Sequence, residues 1–165
     1  MFHALIPPLP DARHPSYQGT IDWPAVAKSG VEFVSIKATE STDYTDPSFA
    51  KNWAGSHAAG LIRTAYHFAH PSVSAQQQAS FFVGTVRAAG GWNASSTLPL
   101  MLDLEDADKL GPAAVWAWVQ AFCADVKALT GKDVLIYVSS RPHLDAKSAP
   151  RTNTLAPTPT PHPLL

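Results

Sequence analysis

The sequence predicts an α/β fold in which parallel strands alternate with helices. Four short apolar runs are separated by segments that carry helical periodicity and clear helix start and stop residues. Near-continuous apolar runs are typical of parallel strands that helices cover. The length of 165 residues suits one domain with a real core. We therefore expect the order strand, helix, strand, helix, strand, helix, strand, with right-handed crossovers.

Four helices are predicted from residues that favour helix ends. A side-chain oxygen or a proline favours a helix start, and a glycine favours its end. The opening residues are Asp22, Asp46 with Pro47, Ser74 with Gln77, and Pro112, and the closing positions are Gly30, Gly60, about Ala88, and Gly131. The fourth helix has one apolar stripe, which comprises Val115, Trp118, Val119, Phe122, Val126 and Leu129.

The strands are predicted over 31–39, 61–69, 98–105 and 133–140, with a further candidate at 2–6. Ten of the fifteen prolines lie before Ser16 or after Ser140. We therefore expect three regions: a divergent N-terminal segment at 1–15, a folded domain at 16–140, and a proline-rich disordered tail at 141–165.

Two acids lie at the end of the third predicted strand. Residues two apart in a strand point to the same face, so Asp103 and Glu105 share a face while Leu102 and Leu104 point toward the helices. The Cα atoms of the two acids should lie roughly 6.6 Å apart. The carboxyl ends of strands are where α/β sheets place their chemistry. This spacing predicts a pair of carboxyl groups at the functional edge of the sheet.

Neighbouring carboxyl groups cannot both ionise easily, so one of them holds its proton to higher pH. One neutral acid beside one carboxylate is what glycoside hydrolysis requires. Two other interpretations stay open from the pattern alone. The acids could cap the next helix or face water, or they could bind a hard cation, although no further acidic cluster completes such a site.

Other strand-end residues carry weaker signals. Tyr66 and Tyr137 could line a sugar site or could be core residues. Lys37 and Glu40 could simply form a local ion pair at a strand end, without a role in function. His67 and His70 have no third metal ligand at a suitable spacing, so we interpret them as structural or solvent-facing. Cys123 lies beside the apolar stripe of the fourth helix, and we interpret it as a small buried hydrophobe.

Composition excludes several function classes. The net charge of −1 provides no positive potential to attract a phosphate backbone, which argues against a general nucleic-acid-binding protein. A single Cys cannot form an internal disulfide. No apolar run is long enough to cross a bilayer, and no glycine-rich turn follows a strand, so neither a dinucleotide site nor a P-loop is indicated. The first residues have no basic segment before their apolar stretch and do not form a recognisable signal peptide.

The chain resembles the glycoside hydrolase family 25 lysozymes over roughly 16–140. The resemblance is carried by a series of motifs in one order, namely SYQGTIDW (16–23), GVEFVSIKATE (30–40), YTDPSFAKNW (44–53), AAGLIRTAYHFAHP (58–71), QQASFF (77–82), LPLMLDLE (98–105) and TGKDVLIYVSS (130–140).

The resemblance implies an N-acetylmuramidase that cuts the β-1,4 bond between N-acetylmuramic acid and N-acetylglucosamine in peptidoglycan. It implies a TIM-like (β/α) barrel, Glu105 as general acid/base, and Asp103 as the residue that assists at the acetamido group. Tyr66 and Tyr137 would contact the sugar, and we include Lys37 and Glu40 in the substrate site.

The same resemblance implies no metal or organic cofactor, an extracellular location, and peptidoglycan glycan strands as the partner, with no nucleic acid and no membrane. We expect a monomer.

The sequence departs from the family pattern near both ends. The family's N-terminal strand carries an active-site Asp five residues before the Gln, and Arg13 stands at that position. After Ser140 the proline-rich segment stands where further family strands are expected. We therefore expect an incomplete barrel of four to five strands, from a truncated, mis-spliced or frame-shifted chain. An inactive peptidoglycan-binding remnant is the alternative function.

Overall fold

The structure is a computed structural model that describes residues 20–92 and 95–139, and the statements below concern these residues. Helices and strands alternate along them, apart from one short hairpin strand. In chain order the elements are α1 (Trp23–Lys28), β1 (Phe33–Glu40), β2 (Tyr44–Thr45), α2 (Phe49–Ala58), β3 (Ile62–Phe68), α3 (Ala75–Ala88), β4 (Met101–Leu104), α4 (Pro112–Thr130) and β5 (Leu135–Val138).

The strands form one five-stranded sheet in the order β2-β1-β3-β4-β5. The four longer strands are parallel, and β2 pairs antiparallel with β1. Each of the four parallel strands lies next to its successor in the chain, and a helix makes each connection. Right-handed crossovers that advance in one direction place their helices on the same face of the sheet. The predicted α/β class is thus confirmed, while closure of the sheet into a barrel stays a prediction.

Three of the predicted helix ends form as expected. The carboxylate of Asp22 accepts a hydrogen bond from the Ala25 N–H at 3.0 Å, and the hydroxyl of Ser74 accepts one from Gln77 N–H. Gly131 ends α4 with φ +72°, a left-handed conformation that glycine adopts without steric cost.

Several predicted boundaries need correction. The second helix begins at Phe49 rather than beside Pro47, because the Asp46 carboxylate accepts from the Ser48 N–H at 2.8 Å and forms a turn first. In the described residues, the third and fourth predicted strands are regular over 101–104 and 135–138. Strand β2 was not predicted, since two residues are too few for a periodic signal.

The core lies between the sheet and its helices. Leu102 and Leu104 of β4 are fully buried, as is Phe122 of α4. The predicted stripe of α4 is buried from Val115 to Val126. Leu129, at the end of the stripe, is 37% exposed in the last helical turn, and its carbonyl accepts a hydrogen bond from Arg87.

Strand β1 contains a β-bulge, where one extra residue interrupts the pairing with β3. Lys37 pairs with Tyr66, but the next residue of β3, His67, pairs with Thr39, so Ala38 is inserted. Residues three apart in a regular strand point to opposite faces, and one inserted residue removes that difference. Lys37 and Glu40 therefore lie on the same face of the sheet.

The segments expected at 1–15 and 141–165, the candidate strand at 2–6 and the position of Arg13 lie outside the described residues. Within 20–92 and 95–139, no helix combines the length and apolar character that a membrane span requires.

The packing of α1 on α2 leaves no room for a side chain at Gly55, which provides a test of the fold. A Cβ atom there would lie 2.4 Å from the Trp23 indole ring. We expect Gly55→Ala to lower the free energy of unfolding by about 1–3 kcal/mol, measured by urea denaturation followed by circular dichroism.

The matched control is Gly84→Ala in α3, where an added Cβ meets nothing within 4 Å. This change should raise stability by about 0.5–1 kcal/mol, because alanine favours the helix. Equal effects of the two changes would contradict the described packing.

Candidate active site

One face of the sheet carries a row of polar and aromatic side chains across its four parallel strands. Lys37 pairs in register with Tyr66, and Asp103 pairs with Phe68 on one side and Tyr137 on the other. Neighbours in register point to the same face, and so do Tyr66 and Phe68, two residues apart. We call this surface, defined by Lys37, Tyr66, Phe68, Asp103 and Tyr137, the site face.

Asp103 is the buried acid of the site face. It is only 6% exposed, and its Oδ1 atom accepts no hydrogen bond from the described residues. Burial and, to a smaller extent, the charge of Glu105 raise the pKa of its carboxyl group to about 7, although the charge of Lys37 opposes the shift. A carboxyl group kept partly protonated near neutral pH in this way is typical of functional sites.

Glu105 is the first residue after the end of β4 and is half-buried. Its charge acts on both Asp103 and Tyr66, so the two acids predicted from their spacing lie within electrostatic reach of each other. Leu102 and Leu104 are fully buried on the opposite, helix-covered face, as their alternation with the acids predicts.

The tyrosines lie on either side of Asp103. Burial raises the pKa of the Tyr66 phenol, and the charges of nearby carboxylates raise it further; these are Asp103, Asp46, Glu105 and Glu40. Tyr137, in β5, is half-buried in register with Asp103. Both rings therefore stand beside the acid pair, where an apolar ring face and a polar hydroxyl would suit a sugar.

Lys37 and Glu40 form the local ion pair considered from the sequence. Lys37 Nζ lies 2.7 Å from Glu40 Oε2, and it lies over the rings of Tyr44 and Phe68, 5.4 and 5.2 Å from their centroids. The bulge at Ala38 makes this contact possible by turning both side chains to one face. Lys37 is thereby fixed as the cation of the site face.

His67 is structural, as predicted. It is fully buried on the helix-covered face, and its ring stacks on Phe122 with centroids 5.2 Å apart. Thr39 Oγ1 lies 2.8 Å from its Nδ1, and Gln78 Oε1 lies 2.8 Å from its Nε2. Since the amide oxygen only accepts, these partners assign the neutral tautomer with the proton on Nε2. Burial lowers its pKa to about 4.

Sequence reasoning missed the role of His70 and did not single out Asp108. His70 Nε2 lies 3.1 Å from Glu40 Oε1, and its Nδ1 lies 3.2 Å from Asp108 Oδ1. Asp108 also accepts hydrogen bonds from the backbone and hydroxyl of Ser72. No spacing rule joins positions 40, 70 and 108, because they meet only where the end of β1 and the loops after β3 and β4 lie at the same edge of the sheet.

Two remaining expectations concern metal ligands and the cysteine. Among the described residues no group of three or more His, Cys, Asp or Glu side chains is arranged to hold a metal ion. Cys123 is half-buried in α4, and burial raises the pKa of its thiol.

Comparison with known proteins identifies relatives of this architecture. The family model described as Glycosyl hydrolases family 25 matches residues 14–153. Lysozyme M1 of Streptomyces globisporus is 39% identical over 132 residues, which are 75% of this chain and 44% of that protein. The N,O-diacetylmuramidase of a Chalaropsis species is 38% identical over 135 residues, 75% of this chain and 63% of that protein.

Solved structures show the same likeness. A muramidase from Trichobolus zukalii superposes with a TM-score of 0.68 at 41% sequence identity. The superposed region is 73% of this chain and 60% of the muramidase chain. The chain spans about half the length of the curated relatives it matches.

The charge of Lys37 should be measurable in the titration of Asp103. Because Lys37 lowers the pKa of this carboxyl group, Lys37→Met should raise it above the value of about 7. Carboxyl ¹³C NMR titration measures the change, with Lys51→Met, an exposed lysine of α2, as the control. A pKa of Asp103 that stays the same or falls would refute the arrangement.

Asp103 should also make stability depend on pH. Its folded-state pKa of about 7 exceeds the ordinary value of 3.8, so the folded state holds the proton more tightly and stability falls as pH rises from about 4 to about 7. Each pKa unit corresponds to about 1.4 kcal/mol, so Asp103→Asn should be more stable than wild type at pH 8 by a few kcal/mol.

This gain should fade below about pH 4, where the wild-type carboxyl is neutral in both states. Thermal unfolding at several pH values measures it, and Asp43→Asn, at an exposed position, controls for the loss of one negative charge. A gain that is the same at pH 3 and pH 8 would argue against a buried, ionisable Asp103.

Proposed function

The chain belongs to the glycosyl hydrolases of family 25, and on this premise we propose that it is a muramidase of the lysozyme type. Its substrate would be the β-1,4 bond between N-acetylmuramic acid and N-acetylglucosamine in bacterial peptidoglycan. The observation that carries the proposal is the acid pair at the end of β4, in which Asp103 is buried and partly protonated near pH 7 beside Glu105. Glycosidases of most families use a pair of carboxyl groups that flank the scissile bond.

We assign Glu105 the role of general acid/base. It lies at the half-exposed edge of the site, where it can exchange protons with solvent. It would protonate the glycosidic oxygen as the bond to the leaving sugar breaks, and then take a proton from the water that attacks the anomeric carbon. Proton transfer of this kind accelerates a reaction by roughly a hundred-fold to ten-thousand-fold.

We assign Asp103 the role of stabilising the charge that develops on the sugar. Its carboxylate would orient the acetamido group or stabilise the positive charge that forms there. The burial that raises its pKa also strengthens its interactions, because less water screens them. Lys37 opposes the rise and so keeps an ionised fraction of Asp103 available near neutral pH.

Four more residues would form the sugar-binding surface. Tyr66 and Tyr137 would pack against pyranose rings on either side of Asp103. Lys37 and Glu40 would contact polar groups of the glycan from the end of β1. We propose no metal or organic cofactor, because the reaction as assigned needs only proton transfer and charge stabilisation.

We also propose the finer architecture and setting. The succession of adjacent parallel strands with helical crossovers supports a TIM-like (β/α) barrel, of which β1, β3, β4 and β5 form one sector. The protein would act on peptidoglycan strands outside the cytoplasm, as a monomer.

Glu105→Gln tests the proposal directly. The amide keeps the shape of the side chain but cannot donate the acidic proton, so clearing of a bacterial cell-wall suspension should slow by roughly a hundred-fold to ten-thousand-fold. Sedimentation with purified cell wall should show largely unchanged binding. The matched control is Glu32→Gln, an exposed glutamate before the amino end of β1, which should keep the wild-type rate.

Two outcomes would contradict the proposal. Wild-type clearing by the Glu105→Gln variant would reject the role of Glu105. Binding to cell wall without clearing by the wild-type protein, with a family 25 lysozyme as positive control, would favour the peptidoglycan-binding remnant.

A further inference from the structure

We infer that His70 is a positioning residue that, as an imidazolium, bridges Glu40 and Asp108 and thereby holds Lys37 beside Asp103. The inference rests on the proposed function for its effect on lysis. The bridge itself is a property of the fold and can be measured without any activity. We call the three residues His70, Glu40 and Asp108 the rim bridge.

The geometry of the rim bridge requires two protons on the ring. Nε2 lies 3.1 Å from a carboxylate oxygen of Glu40, and Nδ1 lies 3.2 Å from one of Asp108. Ionised carboxylates only accept hydrogen bonds, whereas a neutral imidazole has one N–H donor. Both contacts can therefore be hydrogen bonds at once only when His70 is positively charged.

The backbone of His70 is fixed independently of its ring. Gln78, fully buried in α3, accepts from the His70 N–H at 3.1 Å and donates to the His70 carbonyl at 2.8 Å. Gln78 also donates to the Val73 carbonyl at 3.1 Å. The backbone of His70 is thus held in place from α3, at a position from which its ring reaches both carboxylates.

The rim bridge reaches the buried acid through Glu40. One oxygen of Glu40 contacts His70, and the other accepts from Lys37 Nζ at 2.7 Å. The charge of Lys37 in turn acts on Asp103. Because Glu40 is held from both sides, the ammonium group stays on the site face rather than turning to solvent.

Asp108 anchors the other end of the bridge. Its second oxygen accepts hydrogen bonds from the Ser72 backbone at 3.1 Å and the Ser72 hydroxyl at 2.9 Å. Asp108 itself has φ +48°, an uncommon conformation for a residue with a side chain. The end of β1 and the loops that follow β3 and β4 are therefore joined at His70.

Charged groups from three elements face the ring. They are Glu40 and Lys37 of β1, His67 of β3, and Asp108 of the loop before α4, while α3 contributes the neutral Gln78. Burial opposes a charge on His70, but the two carboxylates outweigh it, so the pKa of His70 is raised. The pKa values of Glu40 and Asp108 are lowered despite burial, through their hydrogen bonds to Lys37, Ser72 and His70.

These directions define a pH window. A histidine whose folded-state pKa exceeds 6.5 contributes stability fully below pH 6.5, and the contribution is lost as pH rises through the folded value. At the acid end the bridge ends where Glu40 and Asp108 take up protons, below their ordinary pKa values of 4.5 and 3.8. The rim bridge should therefore hold between about pH 4 and the raised pKa of His70.

The first test uses the wild-type protein and needs no activity. ¹⁵N NMR of the histidine rings should show both nitrogens of His70 protonated at pH 6 and a titration midpoint above 6.5. In Glu40→Gln the midpoint should fall, because one of the two carboxylates is lost. A His70 that is neutral at pH 6, or a midpoint that does not respond to Glu40→Gln, would overturn the inference.

The second test compares His70→Gln with the control His57→Gln, a change of an exposed histidine on α2. A glutamine cannot donate from both of its ends, so the bridge is lost at every pH. The thermal midpoint of His70→Gln should lie several degrees below wild type at pH 6 and approach it above the pKa of His70. The control should show no such dependence on pH.

The third test measures lysis. The ratio of wild-type to His70→Gln clearing rates should be several-fold at pH 6 and approach one at pH 8.5, and loss of the bridge should move the pKa of Asp103 upward. A ratio that does not change with pH would assign His70 a purely structural role. If the wild-type protein clears no cell wall, the proposed function fails, while the NMR and stability tests still decide the rim bridge.

Discussion

The buried carboxyl group of Asp103 is the constraint around which the site is organised. An acid with 6% exposure and an oxygen without a hydrogen-bond partner among the described residues costs stability, because burial disfavours its charged form. The structure compensates this cost in part with the charge of Lys37 and leaves the remainder as a raised pKa. A buried carboxyl group with a raised pKa is typical of sites that use a change of protonation near neutral pH.

The opposite face of the sheet supplies the rigidity that such a site needs. Leu102 and Leu104 fill the core behind the acids, and His67 joins β1 to α3 through Thr39 and Gln78. Gln78 then extends the same support to the backbone of His70. A single buried amide thus connects the apolar packing of α3 to the charged edge of the sheet, which explains why a glutamine is fully buried in that helix.

Sequence patterns predicted the elements and the acid pair well, and they failed where contacts join distant segments. Asp22, Ser74 and Gly131 lie at the helix ends that they predict, so a local pattern was sufficient there. In the same way, the alternation of Leu102, Asp103 and Leu104 predicts the strand that contains them. The bulge at Ala38 has no periodic signature. Asp108 comes into position only when the β4–α4 loop folds over Ser72, so its contact with His70 could not be read from spacing.

The bulge in β1 also determines the face of the sheet to which the end of this strand directs its charge. With Ala38 present, the ammonium group of Lys37 and the carboxylate of Glu40 meet on one face at 2.7 Å. If the same residues continued as a regular strand without the bulge, Glu40 would lie three positions from Lys37 and would point toward the helix-covered face, where burying a carboxylate is costly. Removal of Ala38 would leave Lys37 and Glu40 two positions apart on one face, so the pairing register with β3 sets the polarity of the strand's end.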